Sequence, residues 1–220
     1  MGVKAGPRIV KDGLVFSLDA AVSRIYSGSG LTIYYLYSGT GATLINGVGY
    51  SSINSGYFSF DGTNDYINFG KRADLQTNNI TLSAWVKLSS MSYSDGAIIL
   101  GWTDGVAWPY GISITSYSGY IIGYITTDSR LLISPPLNTW HNIVLTRNSD
   151  SNILYLNGIG VSQSTQVMSY ASTNLLASGW GGPGYASYLN GFISQSCIYN
   201  RALTAQEVLQ NYNATKGRYR

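Results

Sequence analysis

Charged residues are scarce in this sequence. Asp, Glu, Lys and Arg make up only 10% of the 220 residues, against about 25% in a typical soluble domain. Hydrophobic residues make up 45%, which is enough for a core. The 26 Gly and 19 Tyr residues favour strands and tight turns over long helices, so a coiled coil, a helical bundle and a charge-rich disordered chain are all excluded. The net charge of +3 is scattered along the chain and forms no basic cluster. We therefore expect one globular domain with an uncharged polar surface and no nucleic-acid partner.

Long apolar runs and cysteines are also missing. No run approaches the roughly 18 apolar residues of a transmembrane helix, and residues 1–11 hold no apolar stretch suited to a signal peptide. We therefore expect no membrane partner and no export signal in this chain. The single cysteine, Cys197, cannot form an intramolecular disulfide, and its apolar neighbours predict a buried small hydrophobe.

Catalytic and metal-ligating side chains are few. The chain has nine Asp, one Glu (Glu207) and one His (His141). Glycoside hydrolysis normally needs two carboxylates about 5 to 9.5 Å apart, and no strand carries alternating Glu residues. One His and one Cys cannot supply the N and S ligands of a zinc site. We predict that the protein is not an enzyme and that His141 is structural, with a folded Asp pair left open as the alternative.

Tight turns and strand-forming residues are what the sequence has in quantity. Asn-Gly and Asp-Gly pairs favour the positive φ angles of tight turns. There are seven: Asp12-Gly13, Asn46-Gly47, Asp61-Gly62, Asp95-Gly96, Asp104-Gly105, Asn157-Gly158 and Asn190-Gly191. Apolar runs on both sides of Asn157-Gly158 predict a two-residue hairpin of 153–156 with 159–164. Further strands are predicted over 14–19, 57–60, 66–69, 80–88, 97–101, 110–115, 120–126, 131–134, 140–147, 174–178 and 188–199.

These short strands predict an all-β, two-sheet antiparallel sandwich of the jelly-roll type with one short C-terminal helix. In 81–88 the even positions are apolar, so one face is buried. Trp85 interrupts this alternation, and we interpret it as part of a second packed layer or as an exposed aromatic. The helix is predicted over 205–213, because Thr204 and Glu207 have capping-box spacing and Leu203 with Val208 fits a hydrophobic staple.

Aromatic residues in Gly-, Ser- and Thr-rich loops are candidates for ligand binding, because rings can stack on sugars or pack on proteins. The candidates are Trp102, Trp108, Tyr110, Tyr117 and Trp180. Calcium is the one cofactor left open, since it accepts carboxylate and amide oxygens on loops. Its weak candidate ligands are Asp61, Asn64 and Asp65, for which turn formation is the simpler interpretation. We predict no cofactor.

Several segments together carry a family resemblance. They are 13–20, 58–67, 80–87, 140–147 with 154–158, and 190–193 with 198–208. They resemble the concanavalin A-like, laminin G-like domains, and the resemblance covers roughly residues 13–213. The Asn-Arg-Ala-Leu-Thr of 200–204 and the segment 211–216 look most like copies in structural proteins of tailed bacteriophages.

The resemblance implies a non-catalytic jelly roll that binds sugars or proteins. We expect a virion-associated module that decorates a capsid or forms part of a tail or fibre, with virion proteins or further copies of itself as partners and surface glycans as possible ligands. The alternative is a bacterial carbohydrate-binding or adhesion module. We divide the chain into an N-terminal arm (1–12), the domain (13–213) and a basic tail (214–220). Partner subunits are expected to hold one or both ends, the tail through acidic groups, with packing onto the same chain as the alternative.

Overall fold

A computed structural model describes residues 8–35, 41–91, 96–103, 113–126, 129–149, 151–165, 175–181 and 188–219. In this part of the chain, sixteen strands form two antiparallel sheets and one helix follows the last strand. The back sheet has the order β14 (Ile159–Ser164), β13 (Ser151–Leu156), β12 (His141–Asn148), β7 (Asn79–Leu88), β16 (Asn190–Tyr199), β5 (Tyr57–Asp61) and β4 (Gly49–Ser51), and β1 (Leu14–Asp19) also pairs with β16. The front sheet has the order β11 (Ser129–Ile133), β10 (Tyr120–Thr126), β9 (Ser113–Tyr117), β8 (Ala97–Thr103), β15 (Leu175–Ser178), β6 (Tyr66–Lys71), β3 (Gly41–Ile45) and β2 (Thr32–Tyr34).

The two-sheet antiparallel sandwich with one C-terminal helix is confirmed. Each predicted strand overlaps an observed one, and three short strands, β2, β3 and β4, were not predicted. The hairpin is also confirmed, with Leu156 opposite Ile159 and positive φ angles at Asn157 and Gly158. Three short 3₁₀ helices span Ile53–Ser55, Ala73–Leu75 and Lys216–Arg218. No helix in these described segments is long and apolar enough to cross a membrane.

The main core lies between the two sheets and follows the alternation of the strands. On β7 the inward residues Leu82, Ala84 and Val86 are buried in this core. They pack with inward residues of the front sheet such as Ile67 and Ile114. The period of two residues therefore places one face of each strand in the core.

A second, smaller core lies on the outer face of the back sheet, under helix α1 (Ala205–Thr215). The predicted capping box begins this helix, because Thr204 Oγ1 accepts from the Glu207 N–H and the Glu207 carboxylate accepts from the Thr204 N–H. Leu203 and Val208 are both buried in the second core, as the staple predicts. The helix runs two residues beyond its predicted end, so residues 214 and 215 are helical and do not belong to a tail.

Trp85 belongs to this second layer. Its side chain points away from the main core, and the residue is only 3% exposed. The indole ring stacks on Tyr219 and Tyr212, with ring centroids 4.0 and 5.8 Å apart. The indole N–H donates to Thr215 Oγ1 at 2.9 Å. Of the two interpretations of Trp85, the packed layer is the one that the structure confirms.

The described residues at both ends of the chain pack on its own back sheet. Near the N-terminus, the Val10 N–H donates to Asn211 Oδ1 at 2.7 Å, and its carbonyl accepts from the Tyr199 hydroxyl at 3.1 Å. In the tail, the Arg218 guanidinium donates to both carboxylate oxygens of Asp19 at 2.7 and 2.8 Å. The expectation that a partner's acidic groups hold the tail is therefore wrong, because the acidic group is Asp19 of the same chain.

Candidate functional site

Three of the seven Asx-Gly pairs meet at one rim of the sandwich, two of them in turns and the third, Asn190-Gly191, at the start of a strand. Asn46-Gly47 joins β3 to β4, Asp61-Gly62 joins β5 to β6, and Asn190-Gly191 begins β16. Asn46 Nδ2 donates to the Asn64 carbonyl at 3.1 Å. A Cβ on Gly62 would lie 3.3 Å from Asn190 Nδ2, so these turns are in close contact. The sequence marks them only as turns, and their convergence comes from the sheet topology.

The carboxylates of this rim organise its central turn. Asp61 Oδ1 accepts from the Thr63 N–H at 2.7 Å, which is the Asx turn predicted for this residue. Asp65 Oδ2 accepts from the Asp61 N–H at 3.2 Å. Burial raises the pKa of Asp65, the bond from the Asp61 N–H lowers it, and the charge of Asp61 raises it further. Asp61 is exposed, whereas Asp65 is buried.

Three aromatic rings lie beside these turns. Trp180 contacts Tyr66 edge to face, with ring centroids 4.4 Å apart, and Tyr188 at 6.2 Å. All three residues are half-buried. A Cβ on Gly179 would lie 2.8 Å from the Asp65 carbonyl oxygen, so the segment before Trp180 packs directly against the carboxylate turn. We call this set the rim cluster; its residues are Asn46, Asp61, Asn64, Asp65, Tyr66, Trp180, Tyr188 and Asn190.

The rim cluster contains residues from two separate predictions. Trp180 was a ligand-binding candidate and Asp61, Asn64 and Asp65 were calcium candidates, and the fold brings them together. Tyr66 and Tyr188 were not predicted. The signal that could have found Tyr66 is its position directly after the Asp61–Asp65 turn at the start of a strand, where a side chain on the outer face lies beside the turn.

The remaining aromatic candidates do not join this site. Trp102 is wrong as a ligand-binding residue, because its ring is fully buried in the main core and its indole N–H donates to the Arg72 carbonyl at 3.2 Å. Trp108 and Tyr110 lie outside the described residues. Tyr117 is the last residue of β9, and its role in binding stays a prediction.

Calcium can be tested against the donor set of the rim. Asp65 Oδ1 is buried and has no hydrogen-bond partner among the described residues, and carboxylate oxygens suit calcium. In the described segments, no three His, Cys, Asp or Glu side chains lie close enough together to hold a metal ion. A calcium ion here would thus need amide or carbonyl oxygens for most of its ligands. The absence of a cofactor at the rim cluster stays a prediction. It can be tested by comparing the melting temperature of the protein in calcium with that in excess chelator.

The reactive side chains of the chain are engaged in structural contacts. His141 begins β12, its Nε2 lies 3.0 Å from the Pro136 carbonyl, and its Nδ1 lies 3.3 Å from Asn157 Nδ2. Burial lowers the pKa of His141, which favours the neutral ring. Cys197 is buried as predicted, and burial raises the pKa of its thiol to about 12. Glu207 is bound by Arg201 at 2.6 Å, and this contact lowers its pKa to about 2.

Solved structures of other proteins share this fold. A sialidase of Trypanosoma rangeli in complex with sialic acid matches with a TM-score of 0.68 and 17% identity over 94% of this chain, and the match spans only 34% of the sialidase. Domain 4 of the extracellular arabinanase AbnA from Geobacillus stearothermophilus, in complex with arabinotriose, matches with a TM-score of 0.65 and 14% identity, covering 90% of this chain and 98% of that domain. The binding domain of Paraclostridial Mosquitocidal Protein 1 matches with a TM-score of 0.67 and 18% identity, covering 92% and 52%.

At these identities the matches show the fold alone, and the chain spans about a third of the length of the sialidases it matches. No curated protein sequence matches the chain significantly. The family model described as "Concanavalin A-like lectin/glucanases superfamily" matches residues 61–209. This range contains the central turn of the rim cluster, most strands of both sheets and the first half of helix α1. The chain therefore belongs to the concanavalin A-like lectin/glucanase superfamily, in its Laminin_G_3 branch.

Proposed function

We propose that this protein is a non-catalytic glycan-binding module and that the rim cluster is its binding surface. The observation that carries the proposal is the meeting of Trp180 and Tyr66 with carboxylate and amide side chains at one edge of the sandwich. Carbohydrate sites combine apolar ring surface with a few fixed polar groups. The rim cluster has both, on turns held by hydrogen bonds.

The similarity to domain 4 of the arabinanase supports a sugar as the ligand, because that structure is in complex with arabinotriose and the match covers nearly the whole domain. A glycan array tests the proposal. We expect the wild-type protein to bind at least one neutral oligosaccharide and Trp180→Ala to lose this binding. Tyr34→Ala is the matched control, because Tyr34 is 59% exposed on the edge strand β2 and lies outside the rim cluster.

Two results would contradict a glycan-binding rim: an array on which the wild-type protein binds nothing, or equal binding by the wild type and Trp180→Ala.

The absence of catalysis is proposed on separate grounds, namely that His141 and Glu207 already make structural contacts. Purified protein should release no new reducing ends from polysaccharides. Turnover that disappears on a single Asp→Asn change would overturn this part.

The finer proposal concerns location. We propose that the module is carried on a bacteriophage particle, in a capsid, tail or fibre, with other virion proteins or copies of itself as partners. The resemblance of 200–204 and 211–216 to phage structural proteins supports it. Mass spectrometry of purified particles is the test, and absence from them would overturn it.

The alternative proposal is that the chain is an accessory or adhesion module of a bacterial protein. One observation favours it. Domain 4 of the bacterial arabinanase is matched over 98% of its length, as one part of an extracellular enzyme. If the module serves this purpose, we expect it to be found attached to a catalytic or surface protein and to be missing from phage particles.

A further inference from the structure

A second group of aromatic rings lies on the outer face of the back sheet, away from the rim cluster. Tyr57, Trp140 and Phe192 form a triangle whose ring centroids are 5.1, 6.3 and 6.5 Å apart. Phe192 is paired with Lys87 across β16 and β7, and Lys87 lies two residues from Trp85 on the same outer face. We call these three rings with the Lys87 ammonium the ring platform.

The ring platform is partly exposed to solvent, whereas the neighbouring Trp85 is buried. Its three rings and Lys87 are all half-buried, whereas Trp85 is covered on one side by the tail and helix α1. Tyr219 of the tail borders the platform, with its ring centroid 5.3 Å from that of Trp140. The tail and helix α1 therefore cover Trp85, whereas the three rings beside Tyr219 stay partly exposed.

Lys87 gives this surface a positive charge. Its Nζ lies 4.5 Å from the centroid of the Phe192 ring and 5.5 Å from that of Trp140. No carboxylate forms a salt bridge with Lys87 in the described part of the chain. Two further charged residues near Tyr219 in the described part of the chain, Arg218 and Asp19, are bonded to each other. Among the residues that the structure describes, the Lys87 ammonium thus has no anionic partner, and it lies over the rings of Phe192 and Trp140.

We propose that the ring platform binds an acidic sugar of the hexuronic acid class. The sugar ring would pack on the aromatic surface, and its carboxylate would accept a charge-assisted hydrogen bond from Lys87 Nζ. Charge complementarity selects a carboxylate-bearing sugar over a neutral one, because a neutral sugar would leave the ammonium without an anionic partner. The proposal rests on the proposed function only in that both surfaces bind sugars. The residues and the sheet face are different.

Titration calorimetry with trigalacturonate tests the platform on the full chain. We expect binding that weakens with salt and that is about tenfold weaker for Lys87→Met, the loss of one charge-assisted hydrogen bond at a solvent-accessible site. Met keeps an unbranched apolar stem over the rings. Lys71→Met is the matched control, because Lys71 is exposed at the end of β6 in the front sheet. The methyl ester of trigalacturonate should bind the wild type about as weakly as trigalacturonate binds Lys87→Met.

The outcomes separate the platform from the rim cluster. If Trp180→Ala abolishes trigalacturonate binding and Lys87→Met leaves it unchanged, the sugar binds at the rim and the platform proposal is overturned. If Lys87→Met and Lys71→Met weaken binding equally, the effect is one of net charge and the proposal is also overturned. Failure to bind trigalacturonate, with neutral glycans still bound through Trp180, overturns the platform alone. Failure to bind any glycan overturns both.

Discussion

Trp85 and Trp180 are each surrounded by two tyrosines, yet the two clusters are built differently. The Trp85 ring is stacked nearly parallel to Tyr212 and Tyr219, with interplanar angles of 19° and 20°. The Trp180 ring meets Tyr66 and Tyr188 edge on, at 86° and 68°. The indole N–H of Trp85 has a partner in Thr215. The indole N–H of Trp180 has none in the described segments.

The difference separates a structural cluster from the cluster that we propose to bind glycans. In the Trp85 cluster, stacking on two tyrosines leaves the residue only 3% exposed, and Thr215 accepts the one indole hydrogen bond, so no ring surface or donor is left for a ligand. Edge contacts leave ring faces partly open, and the unsatisfied donor of Trp180 is a feature that native proteins retain mainly where another group completes it. Residue type alone therefore does not distinguish the two functions.

The largest expected effect is the loss of the structural cluster. Trp85→Ala should lower the free energy of unfolding by about 4 kcal/mol, because it removes a large buried ring and leaves Tyr212 and Tyr219 without their packing partner. Urea denaturation measures this change. Glycan binding by the protein that remains folded should be unaffected. A loss of less than about 1 kcal/mol in the free energy of unfolding would show that the second layer is not a core.

A smaller loss is expected when the tail is released from the back sheet. Asp19→Asn should lower the free energy of unfolding by about 2 kcal/mol, because it leaves the partly buried Arg218 without its carboxylate. Asp12→Asn is the matched control. Asp12 also pairs with an arginine, Arg201, but its side chain is 85% exposed, so its removal should cost less than about 0.5 kcal/mol. Equal effects of the two changes in denaturation experiments would contradict the role of the tail.

The rim cluster should contribute little to stability. Trp180→Ala should lower the free energy of unfolding by about 1 kcal/mol, the size of one aromatic pair beyond its buried area, while it abolishes glycan binding. Thermal unfolding and the glycan array measure the two effects on the same preparation. A stability loss as large as that of Trp85→Ala would mean that both clusters are structural.

The smallest expected effect is that of acid on the free energy of unfolding. A fall in pH should remove the stability contributed by the Arg201–Glu207 pair and relieve the cost of the buried Asp65 charge. The pKa of Glu207 is lowered to about 2, so the Arg201–Glu207 pair contributes its full stability above about pH 4.5 and loses it as the pH falls towards 2. The pKa of Asp65 is raised, so protonation of Asp65 relieves the cost of its buried charge as the pH falls. The stability difference between wild type and Glu207→Gln should therefore shrink below pH 4.5, and that between wild type and Asp65→Asn should change with the opposite sign. Denaturation series between pH 7 and pH 2 measure both.

Much of the fold could be predicted from the sequence because its signals are local. The period-two pattern of 81–88, the Asn157-Gly158 turn and the Thr204–Glu207 capping box each act over a few residues, and each was confirmed. Strands β2, β3 and β4 were missed because they have only three to five residues and too few alternations to form a pattern. Trp102 was misassigned because the predicted strand stopped at residue 101, whereas β8 continues to Thr103 and carries Trp102 into the core.

The candidate sites depend on contacts between distant parts of the chain, which a single sequence does not specify. Tyr66 and Trp180 are more than a hundred residues apart and meet only because β15 pairs with β6. In the same way, Trp140 and Phe192 reach the ring platform from the starts of two strands that lie on either side of β7. Composition predicts that aromatic surfaces exist, and the topology decides which of them meet.

The position of β16 has a consequence for how the protein is made. This strand lies at the centre of the back sheet, paired with β7 on one side and with β5 and β1 on the other, but it is the last of the described strands to be synthesised. Until then β1, β5 and β7 each have an unpaired edge, and such edges favour aggregation. The back sheet is therefore completed only after the described strands of the front sheet have been synthesised. Because β1, β5 and β7 pair with a strand that lies far away in the sequence, this topology favours slow folding.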